Sequence, residues 1–164
     1  MYVPVQTAEE MREAALQHLA AATVVIKAAA VADYRVEKPS ATKIKSGGKN
    51  DGLTLSLVPN PDILKELAQK KGGAFLVGFA AETNDLRAHA AEKLRAKAID
   101  LLVANDVSRQ DIGFEADDNQ VILLDRWGGA QELPRMTKIQ VAHAILDRVL
   151  ALRPTPEPRR TSSR

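Results

Sequence analysis

The sequence of 164 residues is long enough for one domain with a sizeable core, and its 45% hydrophobic and 27% charged residues are typical of a globular protein. A net charge of +2 is too small to predict binding to nucleic acid, and the lack of cysteine excludes disulfides and thiolate metal sites. We find no apolar run of membrane-spanning length and no signal peptide. We therefore expect a cytoplasmic domain that binds neither a membrane nor nucleic acid.

The first part of the sequence alternates apolar runs with amphipathic stretches. Tyr2–Val5 is a short strand candidate, and the helix that follows begins with Thr7 and Glu10 in a capping-box pattern. Val24–Ala32 is an apolar run broken by one lysine, which predicts a buried parallel strand. A loop over Asp33–Asp51 comes next.

The middle of the sequence continues this alternation. Leu53–Val58 alternates apolar with polar residues, which predicts a half-exposed strand. A short helix follows, with Asn60 as its N-cap and Pro61 in its first turn. Ala74–Ala81 and Leu101–Asn105 are apolar throughout most of their length, so we expect two further buried strands there.

The pattern changes after the last of these strands. The helix that precedes it is capped by Asn84 or Asp85 and runs to Lys97. Beyond residue 106 the sequence is polar, and a β run at Val121–Leu124, followed by a Gly-Gly turn at 128–129, predicts a hairpin that projects from the sheet.

Thr137 is the expected cap of a last amphipathic helix, Lys138–Leu150, and the Pro-, Arg- and Ser-rich tail that follows is predicted to be disordered. We therefore divide the chain into one domain over residues 1–150 and a tail over residues 151–164. Strands that alternate with helices predict an α/β, Rossmann-like fold of three layers, in which a parallel sheet lies between helices.

Ligands of such sheets bind beyond the carboxyl ends of the strands. Three segments fall at that edge: the stretch from Asp33 onward, GFAAET at residues 78–83, and ANDVS at residues 104–108. The sequence therefore predicts that these three segments surround one site.

The loop after the predicted strand at Val24–Ala32 is rich in lysine, with Lys38, Lys43, Lys45 and Lys49. Ammonium groups neutralise phosphates as mobile point charges, and the glycines at 47 and 48 would let the loop fold over a ligand. A solvated surface loop explains the same composition, and composition alone favours it.

Three further features each have a functional and a structural interpretation. Gly78 would let a nucleotide approach the backbone closely, and Phe79 would stack on it. Alternatively, both residues serve only the tight packing of a helix on a strand. Lys93 and Lys97 share one helix face, which suits either one anion or plain solvation. The helix that begins within Val58–Leu64 offers N–H groups to an anion, or is simply capped.

Several common sites are missing from the sequence. His18, His89 and His143 are scattered over helices with no metal-binding spacing, so we interpret them as surface or boundary residues. No Ser/His/Asp set, no GxGxxG fingerprint and no Walker loop is present. The missing glycine fingerprint argues against a Rossmann-like oxidoreductase.

Seven segments occur in a fixed order: AAAVADY, KIKS, PNPDIL, VGFAAET, a lysine-bearing helix, IDLLVANDVS and GF…DDNQVILL. Together they resemble phosphopantothenate–cysteine ligase, the synthetase half of the bacterial bifunctional coenzyme A biosynthesis protein. The resemblance extends from about Val3 to Leu150. GFAAET followed by ANDVS at this separation is its most specific part.

The resemblance implies a reaction and its co-substrate. The family joins 4′-phosphopantothenate to cysteine, with CTP in most bacteria and ATP in the eukaryotic form. The carboxylate attacks the α-phosphate to give an acyl-cytidylate and pyrophosphate, and the amine of cysteine then displaces CMP. Mg²⁺ would hold the triphosphate.

The resemblance also implies roles for individual residues. The backbone of Lys27, Ala28 and Ala29 would read the cytosine, with Ala29 near the reacting acyl group. Asp33 would contact the ribose or an Mg²⁺-bound phosphate, and Lys43 would stabilise the activated phosphate and the acyl oxygen. The rest of the nucleotide pocket would consist of Pro61, Asp62, Ile63, Leu64, Phe79, Lys93 and Lys97.

Two parts of the family pattern are missing from the sequence: an N-terminal strand with a Gly- and Ser-rich loop, and the flavin-binding decarboxylase half. We therefore expect no flavin here.

In the family a hairpin, here residues 107–125, forms a homodimer, with Phe114, Val121, Ile122 and Leu124 as apolar contacts; the alternative is a hairpin folded onto its own domain. Three functions stay open: a ligase, a fragment that binds nucleotide or dimerises without turnover, and an oxidoreductase.

Overall fold

A computed structural model of the chain describes residues 1–45, 52–82, 86–106 and 117–153. The helices and strands of these residues follow in chain order: α1 (Ala8–Leu19), β1 (Val24–Lys27), β2 (Tyr34–Val36), β3 (Leu57–Pro59), α2 (Ile63–Lys70), β4 (Phe75–Glu82), α3 (Leu86–Lys97), β5 (Leu101–Asp106), β6 (Asp118–Asn119), β7 (Val121–Asp125), β8 (Ala130–Glu132), β9 (Met136–Thr137) and α4 (Lys138–Leu152). None of the helices in these ranges is long and apolar enough to cross a membrane.

The main sheet has five strands in the order β1, β4, β5, β7, β8. The first three are parallel to one another, as predicted from the alternation of strands and helices, whereas β7 and β8 are antiparallel. The sheet is therefore mixed, and its parallel part brings the carboxyl ends of β1, β4 and β5 to one edge.

Both faces of the sheet are covered by helices, which explains why its central strands are apolar throughout. On one face Leu76 and Leu102 belong to a buried cluster with residues of α1, α2 and α3. On the other face Val77 and Val103 pack with α4, through residues such as Ile145. This arrangement confirms the predicted three layers.

The first strand differs from its prediction. β1 ends at Lys27 instead of continuing to Ala32, and it is only half-buried, with Ile26 43% exposed. Within the described residues β1 pairs on one side only, with β4, so it lies at the edge of the sheet. The predicted strand Tyr2–Val5 is also wrong: these residues pair with no strand, and Tyr2 is exposed.

The predicted strand Leu53–Val58 is shorter than expected and displaced toward its C-terminal end. The strand in this region, β3, is Leu57–Pro59, and it pairs antiparallel with β2 in a ribbon separate from the main sheet. The predicted loop Asp33–Asp51 therefore contains a strand, Tyr34–Val36; its residues 46–51 lie outside the described ranges. The last two residues of the alternating stretch, Leu57 and Val58, therefore belong to a paired strand.

The hairpin β7–β8 does not project, because it extends the main sheet beside β5. Val121 and Leu124, expected as dimer contacts, are 2% and 6% exposed within their own domain, and Ile122 packs against the α1–α3 side of the core. β7 is apolar on both faces because both faces of the sheet are buried. For residues 121–132 this is the alternative of a hairpin folded onto its own domain; residues 107–116, which include Phe114, lie outside the described ranges.

The helix boundaries follow their capping residues. Thr7 and Thr137 form capping boxes with Glu10 and Gln140, and the first of these confirms the sequence prediction. α4 runs through Leu152, two residues beyond the expected boundary at 150, and residues 154–164 lie outside the described ranges. The predicted caps of α3, Asn84 and Asp85, lie outside them too.

Candidate functional site

A cavity of about 550 Å³ lies beyond the carboxyl ends of β1 and β4. Four segments surround it: residues 29–33 after β1, residues 60–64 at the start of α2, residues 79–81 of β4, and the lysines of α3. This is the edge at which parallel α/β sheets bind ligands, so the topology brings together segments that are far apart in the sequence.

Most of the residues expected to bind the nucleotide line this cavity: Lys27, Ala29, Asp33, Pro61, Asp62, Ile63, Leu64, Phe79, Lys93 and Lys97. Ala28 lines a second cavity that adjoins the first. Lys43 is different, because it is exposed and belongs to the lining of neither cavity. The structure thus brings most of the expected pocket residues together around the two cavities, but Lys43 is not among them.

Asp62 and Lys97 form an ion pair at the rim of the cavity. The Asp62 carboxylate is also the N-cap of α2, where it accepts a hydrogen bond from the backbone N–H of Lys65 at 3.1 Å. Burial alone would raise the pKa of Asp62, but the hydrogen bonds from Lys97 and from the Lys65 N–H outweigh it and lower that pKa. The start of α2 is therefore already capped, which favours the structural interpretation of this helix end.

Lys27 is the last residue of β1, and its side chain turns back onto the chain. Its Nζ donates a hydrogen bond to the carbonyl oxygen of Ala29 at 3.0 Å. Burial lowers the pKa of Lys27; the nearby Asp62 carboxylate opposes this effect and the Lys97 ammonium adds to it. The cavity therefore holds a partly desolvated cation that an anionic ligand would stabilise.

Asn60 holds the segment after β1 in place. Its side-chain Nδ2 donates to the carbonyl oxygen of Ala32 at 2.8 Å, and its backbone N–H donates to that of Asp33, also at 2.8 Å. Arg35 donates to the carbonyl oxygen of Pro59 at 2.6 Å. The predicted N-cap role of Asn60 is therefore wrong, since Asp62 takes that role and the Asn60 amide is used across the cavity wall.

Gly78 serves packing and not ligand approach. A Cβ at this position would lie 2.6 Å from Cδ2 of Leu64 and 2.9 Å from Cδ1 of Ile99. A glycine at this position therefore lets Leu64 of α2 and Ile99, which follows α3, lie close against β4. Phe79, the next residue, is only half-buried and lines both cavities, so it is placed to contact a ligand.

The second cavity has a volume of about 430 Å³ and lies toward α4. It shares with the first cavity the wall formed by residues 29–30 and 79–81, so the two cavities lie side by side over the strand ends. Its polar lining consists of Asn105, Asn119 and Lys138. Sequence reasoning missed these three; the ANDVS motif, which contains Asn105, was the signal that pointed to this region.

Asp33 is the one expected metal ligand, and it lines the first cavity. Across residues 1–45, 52–82, 86–106 and 117–153 no three His, Asp or Glu side chains are grouped as metal ligands. A single carboxylate fits Mg²⁺ that is held mainly by a substrate's phosphates, which is the usual arrangement for this ion. His18, His89 and His143 are exposed, in agreement with their interpretation as surface residues.

The buried carboxylates of the domain lie at the opposite end of the parallel strands. Asp100, which precedes β5, accepts hydrogen bonds from the Leu76 N–H at 2.8 Å and from Arg126 at 3.0 Å, and it pairs with Lys71. Asp125 accepts from Arg148 at 2.5 Å. Because both carboxylates have several donors, we interpret them as structural.

The family profile described as "DNA/pantothenate metabolism flavoprotein C-terminal domain" matches residues 1–152. The coenzyme A biosynthesis bifunctional protein CoaBC of Bacillus subtilis (strain 168) is 46% identical over 151 residues, which are 92% of this chain and 37% of that protein. The chain thus spans little more than a third of the length of this relative.

Two solved structures are similar in fold. The C-terminal domain of a coenzyme A biosynthesis bifunctional protein CoaBC has a TM-score of 0.71 and 37% identity, and the match covers 90% of this chain and 63% of the other. A Cab2 mutant in complex with phosphopantothenate-cysteine has a TM-score of 0.65 at 20% identity, covering 91% of this chain and 53% of that one, and shows the fold alone. From the match over residues 1–152, the chain belongs to the family of the DNA/pantothenate metabolism flavoprotein C-terminal domain.

Proposed function

We propose that the chain contributes the nucleotide-binding part of a ligase that joins 4′-phosphopantothenate to cysteine at the expense of CTP. The observation that carries the proposal is the first cavity, in which Lys27, Lys93 and Lys97 surround a partly apolar space at the carboxyl ends of parallel strands. Three ammonium groups suit a triphosphate, and Phe79 offers an aromatic face to a base. The names of the CoaBC relative and of the Cab2 complex support the same reaction.

The proposed chemistry has two steps. A carboxylate oxygen of 4′-phosphopantothenate attacks the α-phosphorus of CTP, the bond to the β-phosphate breaks, and pyrophosphate leaves with the electron pair. The amine of cysteine then attacks the acyl carbon, the bond to the CMP oxygen breaks, and the nitrogen loses a proton. Negative charge develops on the phosphate and on the attacked acyl oxygen, which is where a positioned lysine is worth most.

The chain's residues have distinct parts in this scheme. Ala28 and Ala29 offer backbone groups to the base, with Ala29 also next to the acyl group. Asp33 would hold Mg²⁺ through the phosphates of CTP, and Mg²⁺ would supply charge neutralisation there.

Lys43 belongs to the loop between β2 and β3. β2 follows Asp33 directly and β3 precedes Asn60, so both ends of the loop are fixed beside the cavity. We propose that the loop closes after substrates bind and carries Lys43 to the α-phosphate. Because Lys43 lies outside the cavity lining, a chain that binds nucleotide without turnover is the second candidate function.

The first experiment is calorimetric titration of the purified chain with CTP and, separately, with ATP, both with Mg²⁺. We expect saturable CTP binding, and about tenfold weaker binding after Lys93→Gln or Lys97→Gln, the usual effect of losing one charge-assisted hydrogen bond. Arg95→Gln is the matched control, because Arg95 is on the same helix but outside this cavity. Equal affinity in all four proteins would refute the proposed pocket.

Turnover separates the two candidate functions. If the chain alone forms phosphopantothenoylcysteine and CMP, we expect Lys43→Gln to lower kcat while CTP affinity stays within about threefold, since Lys43 acts only after closure. Binding of CTP without any product would favour the second candidate.

The partners and location expected from the resemblance stay predictions. A homodimer would appear in light scattering as twice the mass of one chain, and it would have to use a surface other than Val121 and Leu124, which are buried. Attachment to a decarboxylase domain is a proposal of the same kind, supported by the bifunctional name of the CoaBC relative. A cytoplasmic location is a further proposal that rests on the resemblance alone.

A further inference from the structure

We propose that a third cavity, of about 490 Å³, binds a small phosphomonoester with an apolar body, whose phosphate lies between Arg87 and Arg95. The cavity lies between α3 and the β7–β8 hairpin, and it shares no lining residue with the first or the second cavity. Lys93 and Lys97 line the first cavity from another face of the same helix. The inference therefore concerns a ligand other than the nucleotide of the proposed function.

Arg87, Ala91 and Arg95 follow one another along α3 at intervals of four residues, and all three line the third cavity. Residues four apart lie on the same face of a helix, about 6 Å from one another along its axis. The two arginines thus lie on either side of a small side chain. An alanine between them leaves room for one anionic group within reach of both guanidinium groups.

The positive charge of this pair is uncompensated by other residues in the described parts of the chain. Both side chains are exposed, and neither makes an ion pair or a hydrogen bond there. Asp125, the one carboxylate among the lining residues, already accepts hydrogen bonds from Arg148 and from the Gly129 N–H. Two free guanidinium groups match the charge of a phosphomonoester, about −1.5 to −2 at pH 7, better than the single charge of a carboxylate.

The wall opposite α3 is a turn held by its own hydrogen bonds. The Gly128 N–H donates to the carbonyl oxygen of Asp125 at 3.1 Å. Arg126 donates to Asp100 at 3.0 Å, and its guanidinium lies 5.6 Å from the centre of the Trp127 ring. Because this wall is already formed in the ligand-free protein, binding needs little ordering there.

The interior of the cavity is apolar. Leu94 and Leu124 line it and are both buried. Ala98, which directly follows α3, has a φ of 52°, in the left-handed region that favours glycine. An alanine lowers stability there relative to glycine, whereas its methyl group adds apolar surface to the cavity. This lining favours an apolar body over the polar sugar and base of a nucleotide, and the volume is that of a small-molecule site.

The test is NMR titration of the full chain with hexyl phosphate, followed through the methyl signals of Ala91 and Ala98. We expect saturable shifts of both signals, and binding about fivefold weaker or less for inorganic phosphate and for hexanol, because each lacks one half of the probe. Arg87→Gln and Arg95→Gln should each weaken hexyl phosphate about fivefold or more. Arg153→Gln, which removes the same charge outside the cavity, should leave its affinity unchanged.

Three further variants separate the cavity from charge alone and from the nucleotide site. Ala91→Leu retains both arginines and should abolish binding of hexyl phosphate, because it fills the space between them. Ala98→Gly should raise the stability to urea while it weakens hexyl phosphate about threefold. Lys97→Gln, a change in the first cavity, should leave hexyl phosphate unchanged.

The site would be overturned by shifts that persist unaltered in Arg87→Gln and Arg95→Gln, or by inorganic phosphate binding as tightly as hexyl phosphate. Loss of hexyl phosphate binding in Lys97→Gln would assign the probe to the nucleotide cavity and refute the third site. A lipid source is tested by sedimentation with vesicles of phosphatidylcholine and phosphatidic acid, for which we expect no binding. Cosedimentation that is lost in Arg87→Gln would show a membrane ligand in place of a free one.

Discussion

At the scale of single residues, Lys27 shows how the site is balanced between stability and binding. Its ammonium is partly desolvated, and its neighbours are one carboxylate, Asp62, and a second cation, Lys97. A cation in this environment lowers the stability of the ligand-free protein, and the phosphates of a bound nucleotide would offset this loss. Sites for charged ligands commonly contain such destabilising groups.

We therefore predict that Lys27→Met stabilises the free protein by about 0.5–2 kcal/mol at pH 7 and weakens CTP binding at least tenfold. Because the pKa of Lys27 is lowered, the unfolded chain binds more protons than the folded one between that pKa and the ordinary value of 10.5. The stability of the wild type thus rises with pH in that window, and the advantage of the variant shrinks. Urea unfolding at several pH values measures this.

Lys65→Met is the control, since Lys65 is exposed and outside the cavity lining. It should leave CTP affinity unchanged. A Lys27→Met protein that is less stable than the wild type would show that the hydrogen bond to Ala29 outweighs the desolvation.

The lining of the first cavity was largely predictable from the sequence, whereas its hydrogen bonds were not. A motif order identifies which residues belong together, and the lining of the first cavity agrees with it. Asn60 and Asp62 are both good N-cap residues, and the sequence alone does not say which one caps α2. The choice depends on Ala32 and Lys97, which are far away in sequence.

At the scale of elements, a charged cluster connects the first two helices. Arg12 on α1 donates to Glu66 on α2 at 2.8 Å, and Lys70 donates to the same carboxylate at 2.7 Å. These hydrogen bonds, first from Arg12 and then from Lys70, lower the pKa of Glu66 to about 2. The position of α2, and with it one wall of the cavity, thus depends on a carboxylate that stays ionised in mild acid.

We predict that NMR titration of Glu66 gives a pKa of about 2, below its ordinary 4.5. Since the folded pKa is depressed, the stabilisation from Glu66 is fully present above about 4.5 and is lost as the pH falls toward 2. Glu66→Gln should therefore be less stable than the wild type at pH 7 and nearly equal to it near pH 2. A constant difference across this range would contradict the ion-pair account.

Gly78 allows Leu64 of α2 and Ile99, which follows α3, to lie close to β4. Because Leu64 lines the cavity and would be displaced by a new Cβ, Gly78→Ala should lower the free energy of unfolding by about 1–3 kcal/mol and also weaken CTP binding. Gly73→Ala is the matched control, with no atom within 4 Å of the added Cβ. Denaturant unfolding and calorimetry on both variants measure the two effects.

The sequence predicts an element correctly when both faces of that element are buried. β4 and β5 are apolar because both of their faces are covered, so a continuous apolar run identified them. β1 and β7 have similar runs, but one is an edge strand and the other is antiparallel. Hydrophobicity reports burial, while the order and direction of strands depend on contacts distant in sequence.

At the scale of the whole molecule, the two faces of the sheet are covered unequally. Residues of three helices contribute to the cluster on the face toward the nucleotide cavity, whereas α4 is the only helix with buried residues in the other cluster, through Val141, Ile145 and Val149, within the described residues. The same helix supplies Lys138 at its first turn. Packing of α4 thus supports the core on this face and places Lys138 at the wall of the second cavity.

We predict that Ile145→Ala lowers the free energy of unfolding by about 2–5 kcal/mol, because the side chain is 4% exposed and its removal leaves a cavity under the sheet. Ile139→Ala, on the same helix but 72% exposed, should change it by no more than about 0.5 kcal/mol. Similar destabilisation by the two substitutions would contradict the assignment of Ile145 to this core cluster.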